Sequence, residues 1–212
     1  MTFKKSTPAA RGSIFVISAP SGSGKSTLIK RLMAASPGLR FSISYTTRAP
    51  RAQEKHGRDY FFVSRRVFKR MIERDEFVEW AIVYGHLYGT PQKPLQAAQD
   101  QGQDILLDLD VQGHAQVRRR LAEVVSVFIM PPSYAELSRR LRHRHSDAPE
   151  EIARRLDTAR QEIAHWREYD YVVVNDRRKD ATQALRAIVR AARSRGRNQA
   201  ERLGKIISTF GG

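Results

Sequence analysis

The sequence contains no cysteine and no long apolar run, and both absences limit what the protein can be. Because none of its 212 residues is cysteine, a disulfide scaffold and a cysteine-ligated zinc site are excluded, and we expect an intracellular, cytoplasmic protein. No run of about 18 apolar residues is present, so we expect no membrane span. The opening residues MTFKKSTPAARGS carry lysines with no apolar segment behind them, so we expect no signal peptide.

Acidic residues are scarce relative to basic ones. Lys and Arg total 38 against 22 Asp and Glu, which leaves a formal net charge of +16. This field attracts polyanions, so nucleotides, nucleic acid and anionic membranes are all candidate partners on charge alone. The sequence leaves the oligomeric state open, including a homo-oligomer.

Short apolar runs alternate with longer segments of helical period. This pattern predicts an α/β fold in which a parallel sheet is flanked by helices. One predicted helix spans Lys25–Ala35, and another opens at a capping box in which Ser133 and Glu136 bond reciprocally to backbone amides. The predicted strands are Ile14–Ser18, Ile105–Leu109, Val124–Met130 and Tyr171–Val174.

The middle of the chain has a different sequence pattern from the segments on either side of it. Residues 41–90 favour short strands around a helix at Arg65–Arg74, so we interpret them as a small mixed lobe inserted into the core. Thr90 and Pro91 are predicted to be the N-cap and first-turn proline of a helix that runs to about Gln101.

Two further segments complete the predicted domain organisation. Residues 136–160 are rich in arginine and form a helical arm, which we expect to be mobile. One domain over 13–192 is expected between a disordered N-terminal tail, 1–12, and a basic C-terminal tail, 193–212.

The segment SAPSGSGKST follows the first strand and has the features of a phosphate-binding loop. Gly22 and Gly24 let backbone amides turn inward, Lys25 brings positive charge to phosphates, and Ser26 can ligate Mg²⁺. Ala19 stands where the usual motif has its first glycine, a departure that requires only an ordinary backbone conformation there. The predicted ATP-binding loop is Ala19, Pro20, Ser21, Gly22, Ser23, Gly24, Lys25, Ser26 and Thr27.

A second apolar strand, DILLDLD, ends in the carboxylates Asp108 and Asp110. At the carboxyl end of a parallel strand beside the phosphate loop, such carboxylates can organise Mg²⁺ or face a substrate. The alternative interpretation is that they cap the next helix. Both interpretations stay open.

The motifs SISYTTRAPR, GRDYFF, FVEWAIVYGHLYGT and LDLDVQG follow in an order that resembles guanylate kinases. The resemblance runs from about Ile14 to Val189. It implies a nucleoside monophosphate kinase with a GMP-binding lobe and a helical lid, which transfers the γ-phosphoryl group of ATP to GMP, and to dGMP, in purine nucleotide metabolism. It also implies Mg²⁺ as the cofactor, with Ser26 and Asp108 as candidate ligands.

The resemblance also implies roles for residues of the acceptor site. The phosphate of GMP would be held by Arg48, Arg51, Tyr60 and Tyr88, and guanine would be surrounded by Ser44, Glu79, Thr90 and Asp110. The chemistry is consistent with this, because carboxylates accept from the N–H groups of guanine whereas a hydroxyl donates to O6. Adenine lacks those donors, so we expect GMP to be preferred over AMP.

In the lid, the resemblance implies that Arg140, Arg144 and Arg155 approach the triphosphate, and that Asn175 lies near adenine. Together with Lys25 and Arg48, these arginines form the expected catalytic set. Because the acceptor oxygen of GMP is already a nucleophile, no general base is required.

Three other functions are weighed against this one. A guanylate kinase-like binding module would be expected to have lost the loop lysine or the lid arginines, and both are present. A different phosphorylated acceptor would keep the loop and change the second site. Nucleic-acid binding would use the net charge, but the arginines cluster at the two predicted phosphate sites and no reading motif is present.

Replacing the loop lysine separates catalysis from acceptor binding. We expect Lys25→Met to lower turnover severely while GMP binding persists, because the ammonium group acts on the transferred phosphate. Steady-state kinetics and calorimetric titration with GMP measure the two effects. Unchanged turnover would exclude the loop from the mechanism.

Overall fold

The computed structural model describes residues 11–83, 85–143 and 148–210. The predictions for residues 1–10, for Arg144 and for the last two residues fall outside the described residues. The strands, in chain order, are β1 (Ile14–Ser18), β2 (Leu39–Phe41), β3 (Tyr45–Thr46), β4 (Phe61–Phe62), β5 (Phe77–Val83), β6 (His86–Pro91), β7 (Asp104–Asp108), β8 (Val125–Met130) and β9 (Tyr171–Val174).

Helices separate most of these strands. The α-helices are α1 (Lys25–Ala35), α2 (Arg65–Glu73), α3 (Gln92–Asp100), α4 (Val111–Arg120), α5 (Tyr134–Arg142), α6 (Pro149–Ala164), α7 (Arg178–Arg193) and α8 (Ala200–Ile207). Single 3₁₀ turns lie at His165–Glu168, Gly196–Gln199 and Ser208–Phe210.

The central sheet is parallel, with the strand order β2-β7-β1-β8-β9. Strand β1 lies in its middle and is buried on both faces, as expected for a parallel sheet covered by helices. Phe15 and Ile17 contribute to the core cluster on one face, and Ile14 and Val16 to the cluster on the other. The predicted α/β fold is confirmed, with strand limits within one residue of those expected.

The predicted mixed lobe is a second sheet, with the strand order β4-β3-β6-β5. It is inserted in the chain between β2 and β7. Helix α2 covers it, and the ring of Phe68 stacks on Phe77 with their centroids 4.5 Å apart. Phe41 belongs to β2 at the edge of the central sheet, so the lobe sheet begins only after it.

Helices α5 and α6 form the arginine-rich arm, and they share a small core of their own. Leu137 and Leu141 of α5 pack against Leu156 and Ala159 of α6. The Ser133 side chain accepts from the Glu136 amide at 3.1 Å, which confirms half of the predicted capping box.

The other half of that box does not form among the described hydrogen bonds. The Glu136 carboxylate accepts instead from Arg139 and Arg140, each at 2.7 Å. Two guanidinium groups within reach are stronger partners for a carboxylate than one backbone amide.

The predicted start of α3 is wrong. The N-cap is Pro91 and the first helical residue is Gln92, whereas Thr90 belongs to β6. Pairing between β5 and β6 continues to Pro91, opposite Phe77, and this keeps the backbone extended through both residues. The Thr90 hydroxyl is therefore used inside the lobe rather than as a helix cap.

The C-terminal segment is joined to the central sheet by an ion pair at its first residue. Arg193 is the last residue of α7, and its side chain pairs with Asp104 at 2.6 Å. Helix α8 follows, with Leu203 and Ile207 exposed. Among the described residues, no helix is long and apolar enough to cross a membrane.

Truncating a core leucine tests where the stability of the fold lies. Leu106 is fully buried at the centre of β7, so we expect Leu106→Ala to lower the free energy of unfolding by about 2–5 kcal/mol. Urea denaturation measures this change. The matched control, Leu203→Ala on exposed α8, should change it by less than about 0.5 kcal/mol; equal losses would contradict the assignment of the core.

Candidate active site

The phosphate loop adopts a conformation that requires its glycines. Gly22 has φ of +88° and Gly24 of +87°, both in the left-handed region. A Cβ atom on Gly22 would lie 2.8 Å from Leu141 Cδ2, and one on Gly24 would lie 2.6 Å from Asn175 Nδ2. The left-handed backbone conformation therefore strains any other residue at these positions, and a Cβ atom there would also require the Leu141 or Asn175 side chain to move.

Asn175 braces the phosphate loop from the end of β9. Its side chain is buried, and Nδ2 donates to the Ser23 carbonyl at 2.7 Å. Its own backbone amide donates to the Met130 carbonyl at 2.8 Å, which ties it to β8. The resemblance suggested a place near adenine; the structure shows the amide in contact with the loop.

Lys25 connects the loop to the neighbouring strand. Its Nζ lies 2.5 Å from Asp108 Oδ1 and donates to the Leu109 carbonyl at 3.1 Å. Because β1 and β7 are adjacent and parallel, the residues that follow them meet at one edge of the sheet. The two charged groups predicted from separate motifs are thus in direct contact.

Two of the predicted lid arginines contact the loop. Arg155 donates to the Ser21 hydroxyl at 2.6 Å through Nη2. Arg140 donates to the Ser23 carbonyl at 3.5 Å and to the Asn175 carbonyl at 3.0 Å, and it is held by Glu136. The arm is therefore placed with guanidinium groups beside the predicted triphosphate site.

A cavity of about 280 Å³ lies between the phosphate loop and the small lobe. Its walls combine residues predicted for both substrates with three apolar residues that were not predicted. The lining residues are Lys25, Ser44, Arg51, Tyr60, Glu79, Ala81, Val83, Tyr88, Asp108, Leu109 and Asp110.

Glu79 is a buried carboxylate in that cavity wall. It is 4% exposed, and its Oε1 accepts from the Thr90 hydroxyl at 2.6 Å. Burial raises the pKa of Glu79 to about 7, against the opposing effect of the Thr90 hydrogen bond. Among the described residues no cation pairs with Glu79, so the carboxylate offers acceptor capacity to a ligand with N–H donors.

Asp110 also lines the cavity, but its side chain has a structural task. Oδ1 accepts from the Gly113 amide at 2.8 Å, so Asp110 is the N-cap of α4. Of the two interpretations that were open for this residue, helix capping is the one observed in the structure. The contact with guanine stays a prediction.

The two arginines of the TTRAPR motif differ in their surroundings. Arg51 lines the cavity. Arg48 donates to the Tyr88 hydroxyl at 3.1 Å and to the Glu54 carboxylate at 2.8 Å. Tyr60 lies beneath the Arg48 guanidinium, 5.5 Å from ring centroid to Cζ, and burial raises its pKa to about 12.

Sequence reasoning missed Glu54 and the apolar wall of the cavity. Ala81 and Val83 share a strand face with Glu79, so alternation along β5 was a signal that could have identified them. Glu54 had no such signal, because it lies in a loop and its partners are fixed only by the folded turn.

The donor set at the loop fits a magnesium ion held mainly by substrate phosphates. No group of three or more His, Cys, Asp or Glu side chains among the described residues could hold a metal by itself. Ser26 is exposed in the first turn of α1, and Asp108 is a carboxylate beside the loop. A few hard oxygen ligands next to a phosphate site match the preference of Mg²⁺.

The raised pKa of Glu79 gives a stability prediction. The native protein keeps this proton up to about pH 7, whereas the unfolded chain releases it near 4.5, so stability falls between those values. Relative to Glu79→Gln, the ligand-free wild type should therefore lose roughly 3 kcal/mol between pH 4.5 and pH 8.

Urea denaturation of both proteins at the two pH values measures this difference. Glu73→Gln, which alters an exposed carboxylate, is the control and should run parallel to the wild type. A Glu79→Gln curve that also runs parallel would show that Glu79 is ionised throughout.

Comparison with known proteins identifies the family. The family model for guanylate kinase matches residues 11–192. A guanylate kinase from Koribacter versatilis is 53% identical over 187 residues, covering 87% of this chain and 80% of the relative. One from Geobacter sulfurreducens is 46% identical, covering 93% and 97%.

A solved structure supports the same conclusion. The guanylate kinase from Anaplasma phagocytophilum superposes with a TM-score of 0.75 at 36% identity, and the match covers 92% of this chain and 94% of that one. The fold, the loop and the lobe thus agree with the similarity in sequence, and the chain belongs to the guanylate kinase family.

Proposed function

We propose that this chain transfers the γ-phosphoryl group of ATP to GMP, and also to dGMP, forming ADP and the nucleoside diphosphate. The observation that carries this proposal is the cavity that has Lys25 of the phosphate loop and Glu79 of the lobe in its walls. We further propose a role in purine nucleotide metabolism, in the cytoplasm.

Guanine is recognised by hydrogen-bond donors and acceptors on the lobe. The buried Glu79 carboxylate accepts from guanine N–H groups, supported by Asp110, while the Ser44 hydroxyl donates to O6. The Thr90 hydroxyl donates a hydrogen bond to Glu79 and so holds its carboxylate in place. Adenine has neither an N–H at N1 nor a 2-amino group, so it would leave the second Glu79 oxygen without a donor, and the wrong base is rejected by about 1–3 kcal/mol for each buried group left unpaired.

The GMP phosphate is held by Arg48 and Arg51 together with the hydroxyls of Tyr60 and Tyr88. The Tyr60 phenol is protonated near neutral pH and can donate a hydrogen bond to an anion, and burial raises its pKa further. These contacts orient one oxygen of the GMP phosphate toward the phosphate loop. Orientation of this kind is the main contribution a protein makes to phosphoryl transfer.

The ATP phosphates are bound by the amides of the glycine-rich loop and by Lys25. Arg140 and Arg155 approach from the lid, with Arg144 as a further lid residue whose role follows from the resemblance alone. These charges stabilise the negative charge on the transferred group and exclude water from it. When bound, Mg²⁺ held near Ser26 and Asp108 neutralises phosphate charge.

The test is a comparison of acceptors. A coupled assay with ATP and Mg²⁺ should show rapid turnover of GMP, slower or equal turnover of dGMP, and little with AMP, UMP or ribose phosphates. Comparable turnover of AMP or UMP would contradict the proposed base recognition. No turnover with any acceptor would indicate a binding module without catalysis.

Glu79→Ala makes the same test at one residue. We expect it to weaken GMP binding by roughly 2–4 kcal/mol, because a buried charged contact is lost, with far less effect on ATP. Calorimetric titration with each nucleotide measures both, and Glu73→Ala is the exposed control. Equal losses for GMP and ATP would show that Glu79 serves only the structure of the lobe.

A further inference from the structure

Glu54 is an acidic residue beside the groups predicted to bind the GMP phosphate, and the reaction outlined above does not use it. It lies three residues after Arg51 in the loop before β4. Its two carboxylate oxygens are both occupied: Oε1 accepts from Arg48 Nη2 at 2.8 Å, and Oε2 accepts from the Arg51 backbone amide at 2.8 Å. One carboxylate therefore joins both arginines of the motif.

The guanidinium of Arg48 is fixed on its other edges as well. Nε donates to the Tyr88 hydroxyl at 3.1 Å, and Nη1 donates to the Ala49 carbonyl at 2.7 Å. The Arg48 and Glu54 side chains are only 15% and 19% exposed. Because a guanidinium is planar and carries more N–H groups than these contacts use, it stays able to donate to a phosphate while being held.

We infer that Glu54 is a positioning residue for GMP phosphate binding, an inference that rests on the proposed function. Its carboxylate holds the Arg48 guanidinium and the Arg51 backbone in one arrangement before the substrate arrives. The long arginine side chain then loses its rotamer freedom during folding rather than on binding, which strengthens binding. The hydrogen bond between them lowers the pKa of Glu54 and raises that of Arg48, so the pair stays ionised.

Instead of positioning Arg48, a carboxylate beside a phosphate site could compete with the phosphate for that arginine. The contacts favour positioning, because Glu54 also anchors the Arg51 backbone and because Tyr88 and Ala49 fix the same guanidinium. Competition for the Arg48 guanidinium would not require a hydrogen bond to the Arg51 backbone, whereas positioning of both arginines does. The two effects change GMP affinity in opposite directions, so one measurement separates them.

The same loop provides a matched control. Asp59 accepts from the Lys55 amide at 2.8 Å and from Arg58 Nε at 2.8 Å. Asp59 therefore orders the loop through a backbone amide and an arginine, as Glu54 does. Neither of its partners is among the residues predicted to bind the GMP phosphate. Asp59→Ala reports what loss of loop order alone does to the enzyme.

The experiment compares the full-length wild type with three variants, Glu54→Ala, Glu54→Gln and Asp59→Ala. Steady-state kinetics give kcat and the KM values for GMP and ATP, and calorimetry gives the affinities for GMP and for guanosine, which lacks the phosphate. We expect Glu54→Ala to raise the KM for GMP about three- to tenfold, with guanosine affinity and the KM for ATP changed less than about twofold. Glu54→Gln should recover only part of the loss, because its amide has one acceptor oxygen for the two donors, Arg48 Nη2 and the Arg51 backbone amide.

Each other result overturns the inference. Unchanged or tighter GMP binding by Glu54→Ala would show that Glu54 is idle or competes with phosphate. An equal loss of guanosine affinity, or an equal loss in Asp59→Ala, would assign Glu54 to general order of the lobe. A wild type that does not phosphorylate GMP would instead overturn the proposed function, so the two failures are distinct.

Discussion

The ammonium group of Lys25 joins the phosphate loop to the strand beside it. It pairs with Asp108 and donates to the Leu109 carbonyl, so the ends of β1 and β7 are held together by one charge at the edge of the sheet. This contact exists because the two strands are parallel neighbours. The loop, the lobe and the lid all converge on that edge, and the cavity forms where they meet.

The site is built from groups that folding alone would not favour. The Glu79 carboxylate is buried beside a hydroxyl and pairs with no cation in the part of the chain that the structure describes, and burying such a group costs free energy unless a partner compensates. The Arg48 guanidinium is held by Glu54 at the predicted GMP phosphate site, and the Arg155 guanidinium by the Ser21 hydroxyl at the predicted triphosphate site. Binding sites commonly carry such a cost in stability, because the missing partner is the ligand.

Much of this arrangement was predictable, for reasons that differ between elements. Strand β1 was evident from an uninterrupted apolar run, and the loop from the spacing of Gly22, Gly24 and Lys25. The start of α3 was not, because Thr90 and Pro91 form a good local cap, yet pairing with β5 keeps them extended. Likewise, Asp110 offered two chemical tasks, and only the position of α4 shows that it caps that helix.

Local patterns in the chain were therefore enough to identify the sheet, the phosphate loop and the family, since hydrophobic period and short motifs act over a few residues. The folded chain alone decided which polar groups touch: Glu54 with Arg48, Thr90 with Glu79, and Asn175 with the Ser23 carbonyl. These pairs are separated by a loop, a hairpin or most of the chain, and their contacts depend on how the strands and helices pack. Distance in sequence carries no information about that packing.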